Sequence, residues 1–176
     1  MRLFFAALPD METRRHIASV ARALDLAPPS SIVPDANFHM TLAFVGEQSE
    51  TKLPTLLKIG AVQRTHAFTL RFDAYEYWPR AKAVVAAAPD YPMALGQLWR
   101  ELRATLAQHE LVIAPQPLRP HVTLARKVSQ APVPQAMSAF DWPVREFGLM
   151  QSTTAAARPI YTVVDTWPLL DEAAPR

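Results

Sequence analysis

The chain has 176 residues, half of them hydrophobic, with 17 prolines, no cysteine and a formal net charge of +2. That length and apolar content suit one compact core, and the lack of cysteine excludes a disulfide framework, a thiolate metal site and a cysteine nucleophile. The charge argues neither for nor against a nucleic-acid partner, and an opening apolar stretch of about six residues is too short for a secretory leader or a membrane span, so a soluble cytoplasmic protein is expected.

Residues 2–8, RLFFAAL, read as a strand, and residues 10–25 as a helix capped by Asp10, with Ile17, Val20, Ala21 and Leu24 at helical spacing. A proline-rich loop at 27–37 precedes a buried strand over 38–45 that ends at Gly46. The segment SETKLPTLLKIGAVQ then reads as a helix in which Pro54 must occupy the first turn, because a proline further in would cost a backbone hydrogen bond. Phe68, Leu70 and Phe72 alternate as a half-buried strand, and 82–88, KAVVAAA, reads as its hairpin partner across a turn at WPRA. Over 92–109 the residues Leu95, Leu98, Trp99, Leu102 and Leu106 form one apolar helical stripe, which is core. A second proline-rich loop, 114–120, leads into HVTLARKV, with two more strands near 143–151 and 160–167 and a disordered end at DEAAPR. This succession implies an α+β or mixed α/β domain.

Two segments stand out. FHMTLAF at 38–44 and PHVTLAR at 120–126 are near copies 82 residues apart, each after a proline-containing loop. They mark an internal duplication that makes two similar lobes. In a strand, residues i and i+2 share a face, so His39 lies beside Thr41 and His121 beside Thr123. Taken alone, a His-x-Thr pair is a polar interruption of a core strand; taken twice, it puts two imidazoles and two hydroxyls on one cleft.

That set suits phosphate-ester chemistry without a metal. Histidine titrates near neutrality, so one imidazole can donate a proton to a leaving oxygen while the other accepts one from the attacking group. The threonine hydroxyls can donate to phosphoryl oxygens, and an arginine can neutralise the phosphate. Arg119, Arg126 and Lys127 crowd the second motif with no acidic residue between 119 and 127. In a regular strand, however, Arg126 shares the face of Leu124, so it reaches the cleft only where the strand ends or bulges. Neither motif carries a carboxylate, so no metal is expected. Four glycines cannot build a triphosphate cradle, so no nucleotide cofactor is expected. His16, His66 and His109 have no repeated partner and read as ordinary surface or helix-end residues.

The paired HMTLAF and HVTLAR motifs, with MRLFFAALP, VPDANFHMTLAFVGE, LRPHVTLARK and YTVVDTWPL around them, resemble the 2H phosphoesterases. The resemblance is closest to the bacterial RNA 2′,3′-cyclic phosphodiesterases, the LigT-like 2′-5′ RNA ligases, and spans nearly the whole chain. It implies a single domain over 1–176 of two pseudo-symmetric lobes, with two antiparallel sheets facing a central cleft and helices outside. It further implies hydrolysis of an RNA or nucleotide 2′,3′-cyclic phosphate to a 2′-phosphate, His39 as general acid, His121 as general base, and Thr41, Thr123 and Arg126 as phosphate-binding residues. The expected partner is an RNA end, and the expected state a monomer. Ligation through a 2′-5′ linkage, action on a small cyclic nucleotide, and a non-catalytic RNA-end binder are the alternatives. The stretch 152–158, STTAAAR, departs from the glycine-containing hairpin of similar proteins. Phe5 is a candidate base-stacking platform by strand position alone, against a role in the core.

Overall fold

A computed structural model describes residues 1–111, 117–155 and 158–171. In chain order the elements are β1 (Arg2–Ala7), α1 (Met11–Arg22), β2 (Ser31–Ile32), β3 (Met40–Glu47), α2 (Leu53–Ala61), β4 (Phe68–Phe72), β5 (Ala74–Trp78), β6 (Ala83–Ala87), α3 (Met93–Gln108), β7 (His121–Arg126), β8 (Phe140–Val144), β9 (Glu146–Ala155) and β10 (Arg158–Pro168). The expected disordered end beyond residue 171, the first part of the second proline-rich loop and residues 156–157 of the stretch 152–158 lie outside the described residues.

Local chemistry places the helices. The Asp10 carboxylate accepts from the Thr13 amide at 2.8 Å and starts α1. Pro54 sits in the first turn of α2, where its missing N–H costs nothing. Leu95, Leu98, Leu102 and Leu106 of α3 are fully buried, as the stripe requires.

The strands form two four-stranded sheets, ordered β10-β9-β1-β3 and β2-β7-β6-β5, and a two-stranded ribbon, β4-β8; the strand pairs are antiparallel. The fold is α+β. One strand pairing differs from the sequence reading. The hairpin partner of β6 is β5, residues 74–78, whereas 68–72 pairs with β8 some 70 residues away, Arg71 opposite Asp141. Alternation in Phe68, Leu70 and Phe72 shows that a strand buries one face but carries no information about its partner. A short strand, β2, also lies within the expected loop 27–37 and pairs with β7 at Ser31–Arg126 and Ile32–Ala125.

The first sheet has two different faces. Leu3, Phe5 and Ala7 point into the main core with Leu56 and Ile59 of α2. Phe4, Ala6 and Met150 point the other way and meet Leu8 and Tyr161. Phe5 is fully buried and packs on Phe147 and Trp167 at ring distances of 6.5 and 6.0 Å, so it is core and no stacking platform. Close approach explains one glycine: a Cβ on Gly60 of α2 would overlap the Trp167 ring.

Candidate active site

The first motif runs into β3, the edge strand of its sheet, and the second lies on β7 between β2 and β6, and each is irregular at the same place. In β3, Phe5 opposes Ala43 and Ala6 opposes Thr41, so Leu42 is an extra residue. In β7, Val84 opposes Ala125 and Val85 opposes Thr123, so Leu124 is the extra residue. Each His-x-Thr-Leu-Ala copy therefore carries a β-bulge at its leucine, which is buried in both. An inserted residue reverses which side of the sheet the following side chains face. Arg126, opposite Ala83, thereby joins Thr123, opposite Val85, and His121, opposite Ala87, on one face. The bulge removes the conflict between the position of Arg126 and a regular pleat.

The same device works in the first sheet. After the Leu42 bulge, Phe44 opposes Phe4 and shares the cleft face with Thr41, which opposes Ala6. Phe44 thus occupies in β3 the place of Arg126 in β7.

Each histidine is anchored in the same way. His39 Nδ1 lies 2.7 Å from the Asn37 carbonyl oxygen and His121 Nδ1 lies 2.7 Å from that of Arg119. A carbonyl only accepts, so Nδ1 carries the proton in both rings and Nε2 of the neutral imidazole is left with a free lone pair. Asn37 is itself tied to β10, its Nδ2 donating to Pro159 O at 3.0 Å.

The surroundings of the two rings differ. His39 is held by Phe4 and Tyr161, each with ring centroids 5.0 Å away. Burial pushes its pKa down to about 4; the bond to Asn37 opposes this, and the charges of Arg126 and His121 add to it. His121 rests against Trp78 at 4.3 Å. Arg119 lies over the indole ring at 4.9 Å, and Glu76 ties the group together, accepting from Trp78 Nε1 and from Arg119, each at 2.8 Å. Burial lowers the His121 pKa too; the bond to Arg119 and the Glu76 carboxylate oppose the shift, while the Arg119 and Arg126 guanidinium groups reinforce it.

Two adjoining chambers form the cleft. One, of about 70 Å³, is lined by Ile32, His39, Thr123, Arg126 and Lys127 among others. The second, of about 340 Å³, is lined by Arg2, His39, Thr41, Phe44, Arg126 and Tyr161 among others. His39, Arg126, Pro159 and Tyr161 belong to both. His121 lines a separate hollow of about 170 Å³ with Glu76, Trp78 and Arg119. Four of the five residues singled out from the sequence, His39, Thr41, Thr123 and Arg126, line the two chambers, and His121 stands near enough for its charge to act on His39 and that of Arg126 to act on it. Arg126 makes no ion pair among the described residues, unlike Arg119, and its charge is open to an anion.

Sequence reasoning did not single out Tyr161, Asn37, Glu76 or Arg2. Tyr161 lies six residues from Trp167, which alternation puts on the same face, yet a bulge at Val164 sends Trp167 to the core and Tyr161 to the cleft. No three metal-ligating residues come together among the described residues, and none of their helices is long and apolar enough to cross a membrane. His16 is exposed on α1, His66 bonds the Asp171 carbonyl, and His109 caps α3.

The sequence model of the 2′-5′ RNA ligase superfamily matches residues 8–156. A protein of Escherichia coli strain K12 named RNA 2′,3′-cyclic phosphodiesterase is 35% identical over 171 residues, 96% of each chain. One of the same name from Thermus thermophilus is 32% identical, over 98% of this chain and 92% of its own. Among solved structures, E. coli LigT complexed with 3′-AMP superposes with a TM-score of 0.85 at 32% identity, covering 96% of this chain and 97% of that one.

Proposed function

The chain belongs to the 2′-5′ RNA ligase superfamily, and from that membership and its two-histidine cleft we infer that it is an RNA 2′,3′-cyclic phosphodiesterase. The reaction adds water across the P–O3′ bond of a terminal cyclic phosphate. One water proton leaves to a base, the hydroxyl oxygen bonds phosphorus, and O3′ departs with a proton, giving a 2′-phosphate and a free 3′-hydroxyl.

The observation that carries this reading is the doubled bulged motif. Two imidazoles, each with a fixed Nδ1–H tautomer and a free Nε2 and near enough for their charges to interact, support it together with two threonines and an arginine that has no carboxylate partner among the described residues. In the reaction His121 takes the proton from water and His39 gives one to O3′. Thr41 and Thr123 donate to the non-bridging oxygens, and Arg126 neutralises the charge that grows on them. His39 is neutral in the free protein near pH 7, since its pKa is about 4. A bound phosphate anion favours the imidazolium against burial and the Arg126 charge and so raises the protonated fraction when the acid is needed. The working unit is the whole chain, 1–176, as one domain of two pseudo-symmetric lobes, a monomer in the cytoplasm that needs no cofactor.

The test is product analysis on a defined RNA oligonucleotide ending in a 2′,3′-cyclic phosphate, with chelator in excess. A 2′-phosphate product is expected, and His39→Ala and His121→Ala should each lower kcat by roughly 10² to 10⁴. A 3′-phosphate product, chelator-sensitive turnover, or full activity in both variants would overturn the reading.

A further inference from the structure

Positive charge gathers at one end of the second sheet, beyond what a cyclic phosphate needs. The sequence has no acidic residue between Glu76 and Asp90 or between Glu110 and Asp141, and these two stretches carry Arg80, Lys82, Arg119, Arg126 and Lys127. Pairing of β6 with β7 lays the stretches side by side. Ala83 has Arg126 opposite it on one side and Trp78 on the other, so the β5–β6 turn, residues 79–82, lies next to the end of β7. Val128 N donates to Lys82 O at 2.9 Å and joins the two.

Arg119 is tied to Glu76, and Arg126 serves the cyclic phosphate. Arg80, Lys82 and Lys127 are exposed and have no carboxylate partner among the described residues. Lys82 and Lys127 both have left-handed backbone, with φ of 47° and 58°, a conformation that favours glycine. Val128 fixes the second of these kinks: its side chain is buried, its amide is bound to Lys82, and its carbonyl accepts from the Tyr77 hydroxyl at 3.1 Å. Each of two adjacent turns thus presents a lysine at a position where a side chain is costly, which points to a use for the charge. Lys127 also lines the smaller chamber with Arg126, so the cluster is continuous with the cleft. An RNA end brings one cyclic phosphate and then an internucleotide phosphate at every step upstream. A run of unpaired cations with no acid among them is what tracks a single-stranded backbone.

Resting on the phosphodiesterase reading, we propose that the β5–β6 turn and the end of β7 form a docking surface for the RNA chain upstream of the cyclic phosphate, with Lys127, Lys82 and Arg80 contacting its phosphate backbone. The protein then favours an RNA chain over a bare nucleoside cyclic phosphate, through charges outside the reacting centre. Those contacts carry no base preference, because they go to phosphates alone.

The test compares adenosine 2′,3′-cyclic phosphate with an oligoadenylate that ends in the same cyclic phosphate. Arg80→Gln combined with Lys82→Gln removes two charges that lie outside both chambers. On the oligoadenylate the double variant should lower kcat/KM roughly tenfold, through KM, as for the loss of two exposed phosphate contacts. The slope of log kcat/KM against log salt should flatten by about 1.4, at about 0.7 for each contact. Turnover of the mononucleotide should not change, which also shows that the variant is folded. Lys58→Gln removes a charge from α2, which packs on the other sheet, and should leave both substrates and the slope as they are. An equal loss on both substrates, an unchanged slope, or the same flattening in Lys58→Gln would overturn the docking surface. If the unaltered protein opens neither substrate, the phosphodiesterase reading fails. The surface is then judged separately, by calorimetric titration with an oligoadenylate ending in a 2′-phosphate. Binding that weakens in the double variant and not in Lys58→Gln supports it, and equal binding by all three proteins rejects it.

Discussion

Anchoring Nδ1 on the carbonyl two residues upstream gives both imidazoles one orientation and one tautomer, so the difference between them comes from their neighbours. His39 is enclosed by Phe4 and Tyr161, while His121 stands on an indole whose N–H and covering arginine are both held by Glu76. The charged groups facing His121 are Arg119, Arg126 and Glu76, and of these charges only the carboxylate favours the imidazolium, beside the Arg119 carbonyl that accepts from Nδ1. Glu76→Gln retains an acceptor for Trp78 and Arg119 but deletes that charge. The His121 pKa then falls further, and the alkaline limb of the kcat/KM profile should move to lower pH, with His39 still setting the acid limb. A variant that changed only thermal stability, with the limb in place, would show Glu76 to be a structural tie alone. Before the structure, the sequence named His39, Thr41, His121 and Thr123 because their types recur at one spacing, and Arg126 because it flanks the second copy and matches the family's arginine. Glu76 and Tyr161 escaped it because one carboxylate or one phenol in a strand recurs nowhere.

Among the elements, three of the four register shifts in the described ladders, all but the one at Val45, govern which side chains meet at the cleft and the core. Leu42, Leu124 and Val164 are each extra residues in their ladders, and each reverses the alternation beyond it. Strict alternation turns Phe44 and Arg126 away from the cleft and leaves Tyr161 and Trp167 on the same face. The reversal of β10 has a packing consequence. Trp167 is delivered to the core face, where it touches Phe5 and Phe147 and leaves no room for a Cβ on Gly60 of α2. Alanine in place of a helical glycine normally gains up to about 1 kcal/mol of helix propensity. Here overpacking dominates, and Gly60→Ala should lower unfolding stability by about 1 to 3 kcal/mol in urea titration. An increase in stability would mean that Trp167 and α2 move apart without strain.

For the molecule as a unit, the reaction needs the two sheets to face each other across charges that repel. In the free protein the cleft gathers Arg126, His39 and His121, and burial and like charge hold both histidines below their ordinary value. The profile of kcat/KM reports the free enzyme, so its acid limb should lie near pH 4 and its alkaline limb below the usual histidine value of about 6.5. A bound phosphodiester brings negative charge between the same groups and raises both pKa values, so the kcat profile should be displaced to higher pH. Superimposable profiles for kcat and kcat/KM would show that the bound anion does not retune the pair. Residue types and their spacing pointed to phosphate-ester chemistry through a duplicated His-x-Thr motif with a flanking arginine, put strands and helices near their observed places, and narrowed the fold to α+β or mixed α/β. Which strand partners which, and which way each side chain faces, emerged only in the folded chain. A bulge is set by the ladder between strands distant in the chain, and a one-residue offset there reverses every side chain beyond it without leaving a periodic trace in the sequence.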